Sequence, residues 1–213
     1  EAGWLALQAL LQGGQGRPAE SLELANRALE IVPENDSYVQ SLIYTALAGA
    51  YQQMDDDARA VQALQMIIRH GRAAGNVASE MLGVSGLALM AVERGRLHFA
   101  FEVASQGIER LERSGSLPPI TTAVYGELAV IHYQWHQLEQ ARSCFLRAIQ
   151  VSALSGFSDA AIYYRVILSR LSQMEGDLEA AAREIRQAVE LMQVDAPGAV
   201  REQVIAQQVR IYL

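Results

Sequence analysis

The chain has 213 residues, is 51% hydrophobic and carries a net charge of −7, which describes a globular protein of one large or two small domains with no concentrated basic footprint for nucleic acid. All 17 basic residues are arginine, so chemistry that needs a lysine, such as a phosphate-loop lysine or a Schiff base, is excluded. The single cysteine, Cys144, can neither close an internal disulfide nor build a zinc site alone.

In chain order, the sequence opens with Trp4, Leu5, Leu7, Leu10 and Leu11 at helical spacing, without the layout of a secretory leader. A turn at Gly14-Gln15-Gly16 separates this helix from a second, which ends at Pro33-Glu34-Asn35-Asp36. The same alternation continues. Further turns within a helix pair fall at Asp55-Asp56-Asp57, Glu93-Arg94-Gly95, His136-Gln137 and Glu175-Gly176-Asp177. Turns between pairs fall at Ala74-Gly75-Asn76, Ser114-Gly115-Ser116, Ser155-Gly156-Phe157-Ser158 and Asp195-Ala196-Pro197-Gly198. All five prolines lie at these boundaries, where a missing N–H is tolerated. The pattern predicts about eleven helices of roughly 15 to 18 residues. The longest apolar run, Leu87 to Val92, is far too short to span a bilayer.

The pairs repeat. Ser21, Ala60, Ala100, Ala141 and Ala181 follow successive turns at spacings of 39, 40, 41 and 40 residues. Ala28, Ile67, Gly107, Ala148 and Ala188 keep the same phase, as do Leu29, Ile68, Ile108, Ile149 and Val189. Upstream of the anchors lie Leu47-Ala48, Leu87-Ala88, Leu128-Ala129 and Leu168-Ser169. Small residues at the anchors let two helices approach closely, and each thin pair must bury its apolar face against its neighbours. The expected fold is all-α: an α-α superhelix, or solenoid, of helix hairpins with a period of about 40 residues. It forms a single domain over 1–213, with repeats at about 1–35, 36–75, 76–116, 117–157 and 158–196 and a final helix over 197–213.

These columns resemble the tetratricopeptide (TPR) repeat, best at Tyr44, Leu47, Ala48, Tyr51, Ala60 and Ala63, although its usual period is nearer ~34. The longer period and the ending Arg72-Ala73-Ala74-Gly75-Asn76 are similar to the TPR region of the large MalT-like, LuxR-family ATP-dependent transcriptional regulators. So are the segment from Pro118-Pro119-Ile120 to Tyr133-Gln134-Trp135-His136-Gln137-Leu138-Glu139-Gln140-Ala141 and the run Arg165 to Ala182. The likeness covers essentially the whole chain. It implies a cytoplasmic signal-sensing region, which in such regulators lies between an NTPase module and a helix-turn-helix; neither of those is present in this sequence. The chain thus reads as a piece of a longer protein.

Candidate chemistry is sparse. His132 and His136 are four apart, but Tyr133 follows the first His where a metalloprotease needs Glu, and His136 sits where other repeats place a turn glycine. Asp55-Asp56-Asp57 lacks the spaced ligands of a calcium loop and precedes a helix, where a carboxylate caps. Cys144 has no neighbour that would activate a thiolate. No catalytic residue, metal site or cofactor is expected.

Opposite the core columns, each first helix carries a stripe: Leu42, Thr45, Gly49 and Gln52; Leu82, Ser85, Leu89 and Val92; Ala123, Gly126, Val130 and Tyr133; Tyr163, Val166, Arg170 and Gln173. Within this concave face Thr45, Gln52, Ser85, Leu89, Val130, Tyr133, Tyr163, Arg170 and Gln173 are the candidates for holding a small-molecule effector, such as a sugar, or a protein segment. The alternative is a tight curl in which these side chains touch one another. Tyr44, Tyr51 and Tyr125 are expected to pack in the core. The unpartnered faces of the first and last helices, Trp4, Leu7 and Leu11 and then Val200, Val204, Ile205, Val209, Ile211 and Tyr212, suggest self-association through uncapped ends. Two functions remain open: the sensor region of a MalT-like regulator, or a stand-alone TPR scaffold for protein partners.

Overall fold

The computed structural model describes residues 1–155, 158–192 and 198–212. Among these there are eleven α-helices and no strand: α1 (Ala2–Gly14), α2 (Pro18–Ile31), α3 (Ser37–Gln53), α4 (Asp57–Ala73), α5 (Val77–Glu93), α6 (Leu97–Ser114), α7 (Thr121–Gln134), α8 (Leu138–Ser155), α9 (Ser158–Met174), α10 (Leu178–Leu191) and α11 (Gly198–Tyr212). Several helices are shorter than expected, with α1 at 13 residues and α2, α7 and α10 at 14. The turns placed at 156–157 and 195–197 lie outside the described residues. Contacts divide the chain into two compact units, Glu1–Ile120 and Thr121–Leu213.

The helices start where side chains can replace missing backbone partners. Asp36, Asp56, Asn76 and Asp177 accept from the N–H three residues on, at 3.1, 3.0, 3.1 and 2.8 Å, and Pro18 opens α2, where its lacking donor costs nothing. Every turn inside a hairpin closes in one way. The residues Gly16, Asp55, Gly95, His136 and Gly176 adopt positive φ. The next residue then donates its N–H to the carbonyl five positions back: Arg17 to Gln12, Asp56 to Tyr51, Arg96 to Ala91, Gln137 to His132 and Asp177 to Ser172, all at 2.8–3.0 Å. This is the left-handed C-terminal cap that satisfies the carbonyls a helix end leaves free.

The anchor columns are the contacts that hold each hairpin shut. Ala9 with Ser21, Ala48 with Ala60, Ala88 with Ala100, Ala129 with Ala141 and Ser169 with Ala181 are all buried. At the two ends of the series a hydroxyl reinforces the approach from opposite sides: Ser21 Oγ donates to the Ala9 carbonyl (2.8 Å), and Ser169 Oγ to the Ala181 carbonyl (2.9 Å). The columns Ala28, Ile67, Gly107, Ala148, Ala188 and Leu47, Leu87, Leu128, Leu168 are buried as well. Successive hairpins stack in the first unit, where α4 meets α5 so closely that a Cβ at Gly83 would lie 2.7 Å from Ile68 Cγ1 and 2.9 Å from the Leu64 carbonyl oxygen. Across this junction the carboxylate of Glu80, 4% exposed, accepts from Arg72 Nε of α4 (2.6 Å) and Arg110 Nε of α6 (2.8 Å). In the second unit Phe145 and Tyr164 fill the space between α8 and α9, ring centroids 5.6 Å apart. Tyr164 extends over Gly126, where any Cβ would overlap its hydroxyl.

Candidate functional site

In the first unit the stripe predicted from the first helices is only partly open. Thr45 is half-buried and its hydroxyl donates to the Ser41 carbonyl of its own helix (2.8 Å). Ser85 is buried, so its hydroxyl is not offered to a ligand; the small residue that the wheel places on the stripe is covered by its neighbours. Gln52 and Leu89 are exposed.

In the second unit Val130 is half-buried, while Tyr133 and Tyr163 are 40% and 45% exposed. The two tyrosines do not converge. The Tyr133 hydroxyl meets Met174 Sδ at the end of α9 (3.8 Å), whereas Tyr163 lies near the start of that helix, edge-on to Tyr164 with centroids 5.4 Å apart. Along α9 that separation is ~16 Å at 1.5 Å per residue. Gln173 is occupied: its amide nitrogen donates to the Arg210 carbonyl (3.1 Å) and its oxygen accepts from Gln207 (3.0 Å), clamping α11 to α9. Arg170 is half-buried, and its Nε is enclosed without a hydrogen-bond partner. Of the predicted set, therefore, Arg170 carries an unpartnered nitrogen, the exposed Tyr133 meets Met174 one turn further along α9, Gln52 and Leu89 are exposed in the first unit, and Tyr163 stands apart.

The other candidates resolve simply. α7 ends at Gln134, so His136 is not on a helix with His132. It takes φ 58° in the turn, while His132 Nδ1 lies 2.6 Å from Gln137 Oε1 and its ring meets Trp135 edge-on. Among the described residues no group of three potential ligands could hold a metal, and no helix is long and apolar enough to cross a membrane. Asp56 caps α4 and also holds Arg59 Nε at 2.6 Å, contacts that keep its carboxyl below the usual carboxylate range. Burial pushes the Cys144 thiol up, away from the reactive thiolate.

Sequence reasoning missed a groove between α2 and α4. It encloses about 470 Å³ and is floored by Tyr44, Leu47 and Tyr51 of α3. Tyr44 and Tyr51, expected to pack in the core, do so on one side only. The signal available was their seven-residue spacing, which puts two rings on one helix face.

Comparison with known proteins agrees with this architecture. The family profile of the MalT-like TPR region matches residues 3–213. No curated protein sequence matches the chain significantly. Among solved structures, BtubC from P. vanneervenii superposes with a TM-score of 0.73 at 17% identity, over 89% of this chain and 80% of that one. The apo form of RapI gives 0.67 at 11%, over 96% and 84%. TTC0263, a thermophilic TPR protein in Thermus thermophilus, gives 0.58 at 18%, over 96% and 99%. At such identities the likeness is one of fold: helix hairpins of the TPR type.

Proposed function

Because the chain belongs to the MalT-like TPR family, a TPR-type repeat domain, we propose that it is the sensor region of a MalT-like, LuxR-family transcriptional regulator in the cytoplasm. It would bind an effector, such as a sugar, or a partner segment along its first helices and act without catalysis. The observation that carries this reading is the enclosed Arg170 Nε without a hydrogen-bond partner, one helical turn before the Met174 that the exposed Tyr133 meets: a buried donor without a partner costs free energy that a ligand acceptor recovers. Binding would favour one arrangement of the repeats, which an attached NTPase module would read as a population shift.

The test is calorimetry of the chain against oligosaccharides and metabolites, together with Tyr133→Ala and Arg170→Ala in the parent regulator. The reading expects a binder whose affinity both substitutions weaken by about tenfold, ~1.4 kcal/mol, and a matching loss of induction. A screen without binders and variants that induce normally would sink it.

A second reading, a stand-alone scaffold for protein partners, draws on the exposed α1 stripe of Trp4, Leu7 and Leu11. Parent genes several hundred residues long, with a phosphate loop upstream and a helix-turn-helix downstream, would favour the sensor.

A further inference from the structure

We propose that the groove between α2 and α4 binds a small, uncharged, ring-containing molecule with both hydrogen-bond donors and acceptors. At about 470 Å³ it falls within the ~300–1,000 Å³ range of small-molecule sites. A projection at ~100° per residue puts Tyr44, Leu47 and Tyr51 across α3 from Thr45, Gly49 and Gln52, so this site is separate from the first-helix stripe.

The floor is held in place before any ligand arrives. Tyr44 stacks on His70 of α4, centroids 5.5 Å apart and planes 6° from parallel. The Arg59 guanidinium covers Tyr51 at 4.6 Å. A fixed aromatic floor loses little freedom on binding, and its remaining area suits a flat ring.

The lining sets the charge of the occupant. Among the described residues no carboxylate lines the groove, and its one cation, Arg59, is already neutralised by Asp56 (2.6 Å). A charged molecule would give up hydration there without gaining a partner. The exposed amides of Asn26 on one wall and Gln62 and Gln65 on the other each supply a donor and an acceptor.

The paired rings are particular to this hairpin. Val84 and Ala91 occupy the same columns in the next one, and in the fourth Tyr125 is buried while His132 is engaged with Gln137.

The experiment titrates the whole chain with N-acetyl-tryptophanamide, a neutral indole with two amide groups, followed by amide NMR. N-acetyl-tryptophan and tryptamine serve as its anionic and cationic relatives. The neutral probe is expected to shift α2, α3 and α4 resonances saturably, with a Kd at or below ~1 mM, and each charged relative to bind about tenfold more weakly. An Asn26→Ala, Gln62→Ala double variant, altering exposed positions only, should weaken the neutral probe by roughly fivefold, and Gln106→Ala on α6 should leave it unchanged. Equal affinity for all three probes, indifference to the double variant, or no saturation by about 10 mM would each overturn the assignment.

Discussion

His136 holds φ 58° where three of the other four hairpins have glycine. A side chain in that conformation is strained by contact of Cβ with its own backbone. Replacing it should relieve the strain: His136→Gly is expected to stabilise the fold by up to about 1 kcal/mol, raising Tm by ~2–4 °C in a thermal melt. Gly95→Ala should move it the other way by a similar amount. The turn residue could be read from the column alone, because the 39-, 40-, 41- and 40-residue spacing carries Gly16 onto Asp55, Gly95, His136 and Gly176. His70 gives a pH-dependent counterpart. Burial, with a smaller contribution from Arg69, holds its imidazole below the ordinary value of 6.5. The unfolded chain therefore takes up the proton first, and stability contributed by neutral His70 is lost as pH falls from about 7 towards the folded value. A His70→Gln variant lacks this loss. Its deficit in denaturant midpoint relative to the parent should be larger at about pH 8 than at about pH 5.

At the scale of helices, the closest contact is the one to disturb. Alanine usually improves a helix position by ~1 kcal/mol over glycine. At Gly83, however, the added methyl would strike both the Ile68 side chain and the Leu64 carbonyl, and α4 would have to separate from α5. Gly83→Ala should therefore cost about 1–3 kcal/mol in urea unfolding; a neutral or stabilising result would mean that the junction is looser than described. Glu80 makes a second test of this junction, because Arg72 and Arg110 reach it from the two flanking second helices. Removing its charge with Glu80→Gln should cost about 2 kcal/mol. Helix existence, order and anchors were legible because small residues and breakers recur in phase. Which stripe residues stay open was not. Ser85 looked exposed on a wheel, yet close packing at the neighbouring glycines Gly83 and Gly86 goes with its burial. Gln173 looked free until α11, whose pattern gives no hint of Gln207 as a partner, closed on it.

Over the whole molecule, the repeat supplies its own comparison for the exposed face of α1. Trp4, Leu7 and Leu11 fall in the columns of Ile43, Ala46 and Ala50. Those three are at most 3% exposed, whereas the α1 residues are 65%, 52% and 59% exposed. A stripe shaped for hairpin stacking but left open favours association. Sedimentation should show a mass that rises with concentration, and a Trp4→Gln, Leu7→Gln, Leu11→Gln variant should stay monomeric without a loss of Tm. The repeat foretold the architecture because helix pairs this thin must bury their apolar faces against their neighbours. It could not foretell the groove over Tyr44 and Tyr51, which depends on side chains from α2 and α4 covering only part of their rings.

The notch that Gly126 leaves for Tyr164 also supplies an optical clock. Burial, aided by the nearby Glu127 charge, pushes the Tyr164 phenol far above its ordinary range, while Tyr133 and Tyr163 are open to solvent. The tyrosinate absorbance can be followed after a rapid jump to alkaline solution. Tyr164 changes colour only as fast as its surroundings let hydroxide in. The slow absorbance phase, absent from a Tyr164→Phe variant, would time the breathing of the second unit without any added dye.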